Sequence, residues 1–354
     1  MPRIELPISK SIANRLLILQ AIHGDGLMTV SADLPEDVLI LHNALTTLRT
    51  FKTSKTLPTP HINVGNCGTA MRFLTAYCAQ LEGQTTILDG VERMHHRPIG
   101  QLVDALREIG AQIEYLGEEG FPPMRIKGCI LDKHRIVTIN NPQSTQFVSA
   151  LLLIGANVHT DSTSPYITLT REMIKQWGDA AEYTSPLIGG VGGGFIEKDW
   201  SSAAFWYEYV ALHGGEITLP GLCRNSLQGD KVVADIFATL GVQTYYTTDG
   251  VVISSSPLHP TPYTLHHDFV ACPDLYPAVA LTCERLGIQL HATGVESLPL
   301  KESDRLRAVA EHRTDADHRM AMALLIAGYE VDDTACISKS YPCFLDHLRQ
   351  LYEK

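Results

Sequence analysis

Polar and hydrophobic positions recur along this chain in one repeated order. A short polar or cationic stretch opens a helix, the helix turns apolar, a glycine or polar turn stops it, and a β-like run follows. The first instance is Ser9-Lys10-Ser11-Ile12-Ala13-Asn14-Arg15. It predicts a helix to about Ile22, a turn at Gly24-Asp25-Gly26 and a strand at Leu27-Met28-Thr29-Val30. The order restarts at Asn66-Cys67-Gly68-Thr69-Ala70-Met71-Arg72, Ser144-Thr145-Gln146, Ser201-Ser202-Ala203, Pro273-Asp274 and Asp317-His318-Arg319. Six such starts make an internal repeat.

Each copy predicts a second helix. Glu36 to Leu48 places Val38, Leu41, Leu45 and Leu48 at helical spacing. Pro98 to Ile109 ends at Gly110 and leads into a strand at Ala111-Gln112-Ile113-Glu114-Tyr115; Lys231 to Leu240, Gly241 and Val242 to Tyr246 repeat that phrase. Further helices are expected at Ile167 to Trp177, Leu300 to His312 and Pro342 to Tyr352, and a strand-like start at Arg3 to Pro7. The pattern predicts an α/β architecture of interdependent repeats. Gly190-Val191-Gly192-Gly193-Gly194 has neither P-loop nor dinucleotide-binding spacing and reads as a hairpin turn. The repeat starts are separated by roughly 57, 78, 57, 73 and 43 residues, so the last interval is short. Between His312 and Asp317 one helix passes to the next with no room for strands, and Arg49 to Pro60 looks similarly clipped.

Composition narrows the function. A chain of 354 residues, 45% hydrophobic, has length for two or three domains, and a net charge of −11 argues against a general nucleic-acid surface. Eight cysteines without a C-x-x-C pair read as reduced thiols of a cytoplasmic protein. No run approaches about 18 apolar residues, so no membrane span is expected. The strand-like start leaves no room for a targeting peptide.

Chemistry gathers at the helix starts. Unpaired backbone N–H groups and the positive end of the helix dipole favour anions there. The starts add Lys10, Arg15, Arg72 and Arg319, and the intervening segments add Arg97, Lys301, Arg305 and Lys339. Ser11, Ser144, Thr145 and Gln146 could donate to phosphate or carboxylate oxygens. Taken singly, each is as well explained as a helix cap or a solvated charge; recurrence at equivalent places favours a shared anion site.

These residues resemble a known family. Pro7-Ile8-Ser9-Lys10-Ser11 with Asn14-Arg15, Gly65-Asn66-Cys67-Gly68-Thr69-Ala70-Met71-Arg72, Arg93-Met94 with Arg97-Pro98-Ile99, Lys301-Glu302-Ser303-Asp304-Arg305 and Asp317-His318-Arg319-Met320-Ala321-Met322 together look like the 5-enolpyruvylshikimate-3-phosphate synthases, in the family's order, from residue 3 to about 350. The resemblance implies a two-domain inverse α/β barrel of six βαβαββ repeats, three per domain. The lobes are expected at 9–228 and at 1–8 with 229–354, with the active site in the cleft between them. It implies transfer of the enolpyruvyl group of phosphoenolpyruvate to the 5-hydroxyl of shikimate 3-phosphate with release of phosphate, in the cytoplasm, by a monomer without metal or organic cofactor.

By the same resemblance, Asp274 is the expected base at the 5-hydroxyl and Glu302 the proton donor to the enol carbon, with Lys10 touching both substrates. Gly68, Arg97, Gln146, Arg305, Arg319 and Lys339 would hold phosphoenolpyruvate. Ser11, Arg15, Ser144, Thr145, Gln146, Thr163, Asp274, Ser297 and Lys301 would hold shikimate 3-phosphate. Asp274 could also cap the helix after Pro273. The family's pattern changes at Ile8 (Gly), Thr145 and Thr163 (Ser) and Ser297 (Asn), and His95-His96 replaces a charged pair. Adjacent histidines do not face one ion easily, so no metal site is read there. Gly68 is compatible with sensitivity to glyphosate, which an extra methyl would obstruct. One alternative is the sibling transferase acting on UDP-N-acetylglucosamine, but its loop cysteine has no counterpart in residues 89–100. The other is a non-catalytic anion-binding relative.

Overall fold

The computed structural model describes residues 2–31, 34–53, 59–178, 196–256 and 264–352. It is an α/β chain that divides into two compact units. A terminal unit comprises Met1–Lys10, Ser31–Glu36 and Pro186–Lys354, and an inner unit comprises Ser11–Val30 and Asp37–Ser185.

In the inner unit the repeat is complete between residues 61 and 127. Strand His61–Asn63, helix Gly68–Ala79, strand Thr85–Asp89 and helix Gly100–Glu108 precede strands Gln112–Tyr115 and Met124–Lys127. His61–Asn63 runs parallel to Thr85–Asp89, and Met124–Lys127 lies antiparallel between Thr85–Asp89 and Gln112–Tyr115. The two helices differ as their sequences require. Gly68–Ala79 has no charged stripe and every one of its residues is buried, whereas Gly100–Glu108 buries only Leu102, Val103, Ala105 and Leu106. A second segment pairs Ile136–Thr138 in parallel with Asn157–His159 around helix Thr145–Leu153, and helix Pro165–Gly178 follows. The glycine run at 190–194 lies outside the described residues.

The terminal unit carries helix Trp200–His213, strand Glu216–Pro220, helix Val233–Thr239 and strands Val242–Tyr246 and Gly250–Ser255, the last being the middle of an antiparallel three-stranded sheet. Arg3 bridges Thr218 in parallel, so the strand-like N-terminus joins this sheet. Strands Thr264–Asp268 and Gln289–Thr293 pair in parallel around helix Tyr276–Leu286, and helices Arg305–Glu311, His318–Ile326 and Phe344–Tyr352 complete the unit. Its core is aromatic: Trp206 stacks near Phe344 and donates to the Tyr341 hydroxyl at 3.2 Å, so burying the indole leaves no orphan N–H.

Several expectations need correction. The units do not follow the expected lobes, because Trp200–His213 packs Trp200, Phe205, Trp206 and Tyr207 into the same core as Phe237 and Phe344. Residues 186–228 therefore belong with the terminal unit, and three of the six recurring helices fall in each. Leu27 to Val30 forms no strand. Glu36–Thr53 outruns Leu48, and within it Thr46, Thr47 and Thr50 bond their hydroxyls to carbonyls one turn back. The helix expected from Leu300 starts only at Arg305, where Asp304 caps it. Among the described residues no strand follows Thr293; His312, Asp315 and Ala316 take positive φ to turn one helix directly into the next. No described helix is long and apolar enough to cross a membrane.

Two buried glutamates show what the core tolerates. Glu197 accepts from Trp200 Nε1, Cys223 N and Ser226 Oγ at 2.8–3.0 Å. Glu208, in the middle of Trp200–His213, has no hydrogen-bond partner for either carboxyl oxygen among the described residues, and burial pushes its pKa well above 4.5. The folded state keeps Glu208 protonated where the unfolded chain releases the proton. The contribution of Glu208 to stability is therefore expected to fall as pH rises from 4.5 toward its raised folded pKa. Glu208→Gln should remove that slope; urea denaturation at pH 5 and pH 7 should show the wild type losing more stability than the variant.

Candidate active site

Helix starts place the polar groups of the terminal unit. Asp317 caps helix His318–Ile326, accepting from Arg319 N at 2.9 Å. Its second oxygen takes Arg305 Nε at 2.8 Å and Ser303 Oγ at 3.2 Å. Arg305 is 1% exposed and Asp317 0%. The rest of the guanidinium reaches Asp274 Oδ1 at 2.7 Å and Glu302 Oε2 at 3.1 Å. Asp274 also meets Arg319 Nη2 at 2.9 Å and Lys301 Nζ at 3.4 Å, and Glu302 accepts from Lys339 Nζ at 3.0 Å. Asp274 lies inside the 3-10 turn Pro273–Leu275 and caps no helix with its side chain, so the capping alternative is set aside.

Charge accounting explains the ionisation states. Burial alone would raise the Asp274 pKa, but Arg319, Lys301, Arg305 and Lys10 outweigh it and hold the carboxyl well below its ordinary range. Burial lowers Lys301, with Asp274 opposing. Arg305 is raised despite burial, through Asp317, Asp274 and Glu302. Burial and Asp274 push Asp230 up to about 6, opposed by Arg319 and the bond from Ser201. The terminal unit thus brings together Lys10, Asp274, Lys301, Glu302, Arg305, Arg319 and Lys339. Ser297 precedes the 3-10 turn Leu298–Leu300, half-buried, and is not bonded to this cluster.

A second polar group forms within the inner unit. Gln146, in the first turn after the cap Ser144, accepts from Arg72 Nη1 at 2.8 Å and donates to Thr69 Oγ1 at 2.8 Å. Arg97 reaches back to the Asn66 carbonyl at 3.2 Å. Gly68 lies under both arginines: a Cβ there would stand 2.5 Å from Arg72 Nη1 and 2.6 Å from Arg97 Nη2. A side chain at position 68 would therefore have to push two guanidiniums aside, while the backbone angles there place no demand for glycine. Thr145 follows the cap, and Thr163 is exposed just before the helix that Ser164 opens.

Arg15 is placed differently from an open ligand. It is 3% exposed, and four of its five N–H donors go to Thr170 Oγ1, the Ser11 carbonyl, Ser149 Oγ and the Tyr166 carbonyl. Burial lowers its pKa to about 10. Its partners Ser149 and Thr170, like Asp230, Ser303 and Thr69, were not singled out from sequence. Hydroxyls inside otherwise apolar helices were the available signal. Asp317 and Arg72 were legible as parts of motifs, but their partners were not. His95 Nε2 bonds Asp89 and His96 Nε2 bonds Glu92, with His95 Nδ1 also 3.8 Å from Glu92.

An α/β chain with buried cations and carboxylates at its helix starts has close structural counterparts. An EPSP synthase from Acinetobacter baumannii superposes with a TM-score of 0.66 at 20% identity, covering 98% of this chain and 95% of that one. The family model for EPSP synthase (3-phosphoshikimate 1-carboxyvinyltransferase) matches residues 2–312 and 309–348. A 3-phosphoshikimate 1-carboxyvinyltransferase of Bacteroides fragilis is 36% identical over 408 aligned positions, spanning 98% of this chain and 94% of the relative. One of Cellvibrio japonicus is 32% identical, spanning 98% and 96%. The chain belongs to the EPSP synthase family.

Asp317 both caps a helix and compensates a buried guanidinium, so Asp317→Ala should cost about 3 kcal/mol of stability. A urea midpoint showing a loss under about 1 kcal/mol would mean the cluster holds without it.

Proposed function

We propose that this protein transfers the enolpyruvyl group of phosphoenolpyruvate to the 5-hydroxyl of shikimate 3-phosphate and releases inorganic phosphate, acting as a monomer. Family membership supports the reaction, and the observation that carries the site is the buried cluster around Asp274 and Glu302. Two carboxylates, each held by several cations, are suited to a reaction in which one proton leaves a hydroxyl and another reaches an enol carbon.

In this reading Asp274 takes the proton from the 5-hydroxyl and Glu302 delivers one to the enol carbon C3 of the donor. A carboxylate held well below its ordinary range is a weak base. The incoming anions compete for Lys10, Lys301, Arg305 and Arg319, and as those cations turn toward substrate the Asp274 pKa rises toward a useful value. Lys10, Gly68, Arg97, Gln146, Arg305, Arg319 and Lys339 serve the donor. Ser11, Arg15, Ser144, Thr145, Gln146, Thr163, Ser297 and Lys301 serve the acceptor, Arg15 with its one remaining N–H. Six copies of a βαβαββ repeat, three per unit and the last shortened near 312–316, make up the architecture in this reading, the stretch at 61–127 being the pattern for the rest. The UDP-N-acetylglucosamine alternative is not favoured.

Phosphate release is expected with phosphoenolpyruvate and shikimate 3-phosphate together, and not with either alone or with UDP-N-acetylglucosamine as acceptor; silence with both true substrates overturns the reading. Lys10→Met, which keeps length and removes charge, should leave at most a few per cent of kcat/KM. Gly68→Ala displaces Arg72 and Arg97 and should raise the KM for phosphoenolpyruvate by about tenfold or more, with a smaller effect on that for shikimate 3-phosphate.

A further inference from the structure

We infer that His95, with His61, is a positioning residue for Arg97, holding the loop that presents this guanidinium to the donor through a shared bond to Asp89. The inference rests on the proposed reading of Arg97 as a donor ligand. Asp89 ends the strand Thr85–Asp89, beside the parallel strand His61–Asn63. One of its carboxylate oxygens accepts from His95 Nε2 at 2.8 Å and Gly90 N at 2.7 Å; the other accepts from His61 Nε2 at 3.2 Å. His95 ends the one-turn helix Glu92–His95, and Arg97 N bonds back to the Met94 carbonyl in that turn. Val91 N is tied to the Gly65 carbonyl, and Arg97 Nη1 reaches Asn66, the next residue.

Three pieces of backbone therefore meet at one carboxylate. They are the strand leading to Asn66 and Gly68, the strand end itself, and the turn that carries Arg97. A residue at 95 without a donor would release the turn from the strand while leaving the buried Met94 anchor in place. The guanidinium would then sample positions off Gly68, and because Arg97 is read as a ligand of the donor and not as a proton carrier, the loss should fall on donor binding. A neutral imidazole with its proton on Nε2 also donates this bond, more weakly than a charged one, so the brace requires Nε2–H but not a charged histidine.

Steady-state kinetics of His95→Ala, His95→Gln and Arg97→Ala test this. His95→Ala should raise the KM for phosphoenolpyruvate about fivefold, with kcat and the KM for shikimate 3-phosphate within about twofold of wild type. His95→Gln, whose amide nitrogen stands close to the imidazole Nε2, should recover most of the loss. Equal changes in both KM values, no change in either, or no rescue by Gln overturns the brace. If Arg97→Ala itself leaves the KM for phosphoenolpyruvate unchanged, the donor reading of Arg97 has failed instead. If Arg97→Ala raises it and His95→Ala does not, the brace alone has failed.

Discussion

A permanently charged guanidinium sits at the centre of the terminal unit, almost out of contact with water. Arg305 cannot shed its proton, and an uncompensated charge in that position would cost several kcal/mol. Asp317, Asp274 and Glu302 compensate it, and each comes from a different stretch of chain: a helix cap, a 3-10 turn before a core helix, and the loop preceding Arg305 itself. Meeting that one requirement brings helix starts near residues 274 and 317 to one point. The apolar bodies of these helices fill the core while their polar entries converge.

The same arrangement stores reactivity. Carboxylates already satisfied by cations are poor bases until something else claims those cations. A multiply charged substrate does so directly, which couples anion binding to the awakening of the base in the proposed reaction. In the inner unit Arg72 donates to Gln146 and Arg97 to the Asn66 carbonyl, and both guanidiniums lie where a side chain at Gly68 would project.

One part of the repeat is missing without loss of the cluster. The Bacteroides relative aligns over 408 positions, more than the 354 residues of this chain, and the family match breaks at 309–312. There the chain turns from Arg305–Glu311 into His318–Ile326 without strands. His312 stacks on Tyr329 at 4.0 Å and bonds Glu284 at 2.9 Å, fastening the shortened junction to two neighbouring segments. Arg305 lies before the junction, Asp317 and Arg319 at its end. The shortening thus spares the ion cluster, whose geometry depends on the helix starts and not on the sheet.

Periodicity alone located nearly every helix, because a core helix must be apolar along its length and its ends must be capped or charged. The strand at Gln112–Tyr115 and the direct passage at 312–317 were legible for the same local reasons. Motif letters named Lys10, Asp274, Glu302, Arg305 and Arg319. Only the folded chain decided that Arg305 faces three carboxylates, that Arg15 is mostly engaged by Thr170, Ser149 and two carbonyls, and that Trp200–His213 joins the terminal core. These facts concern partners from a few to 155 residues apart in the chain, which only the fold brings together. A linear pattern records what each residue prefers locally, whereas pairing and burial are set by which surfaces meet.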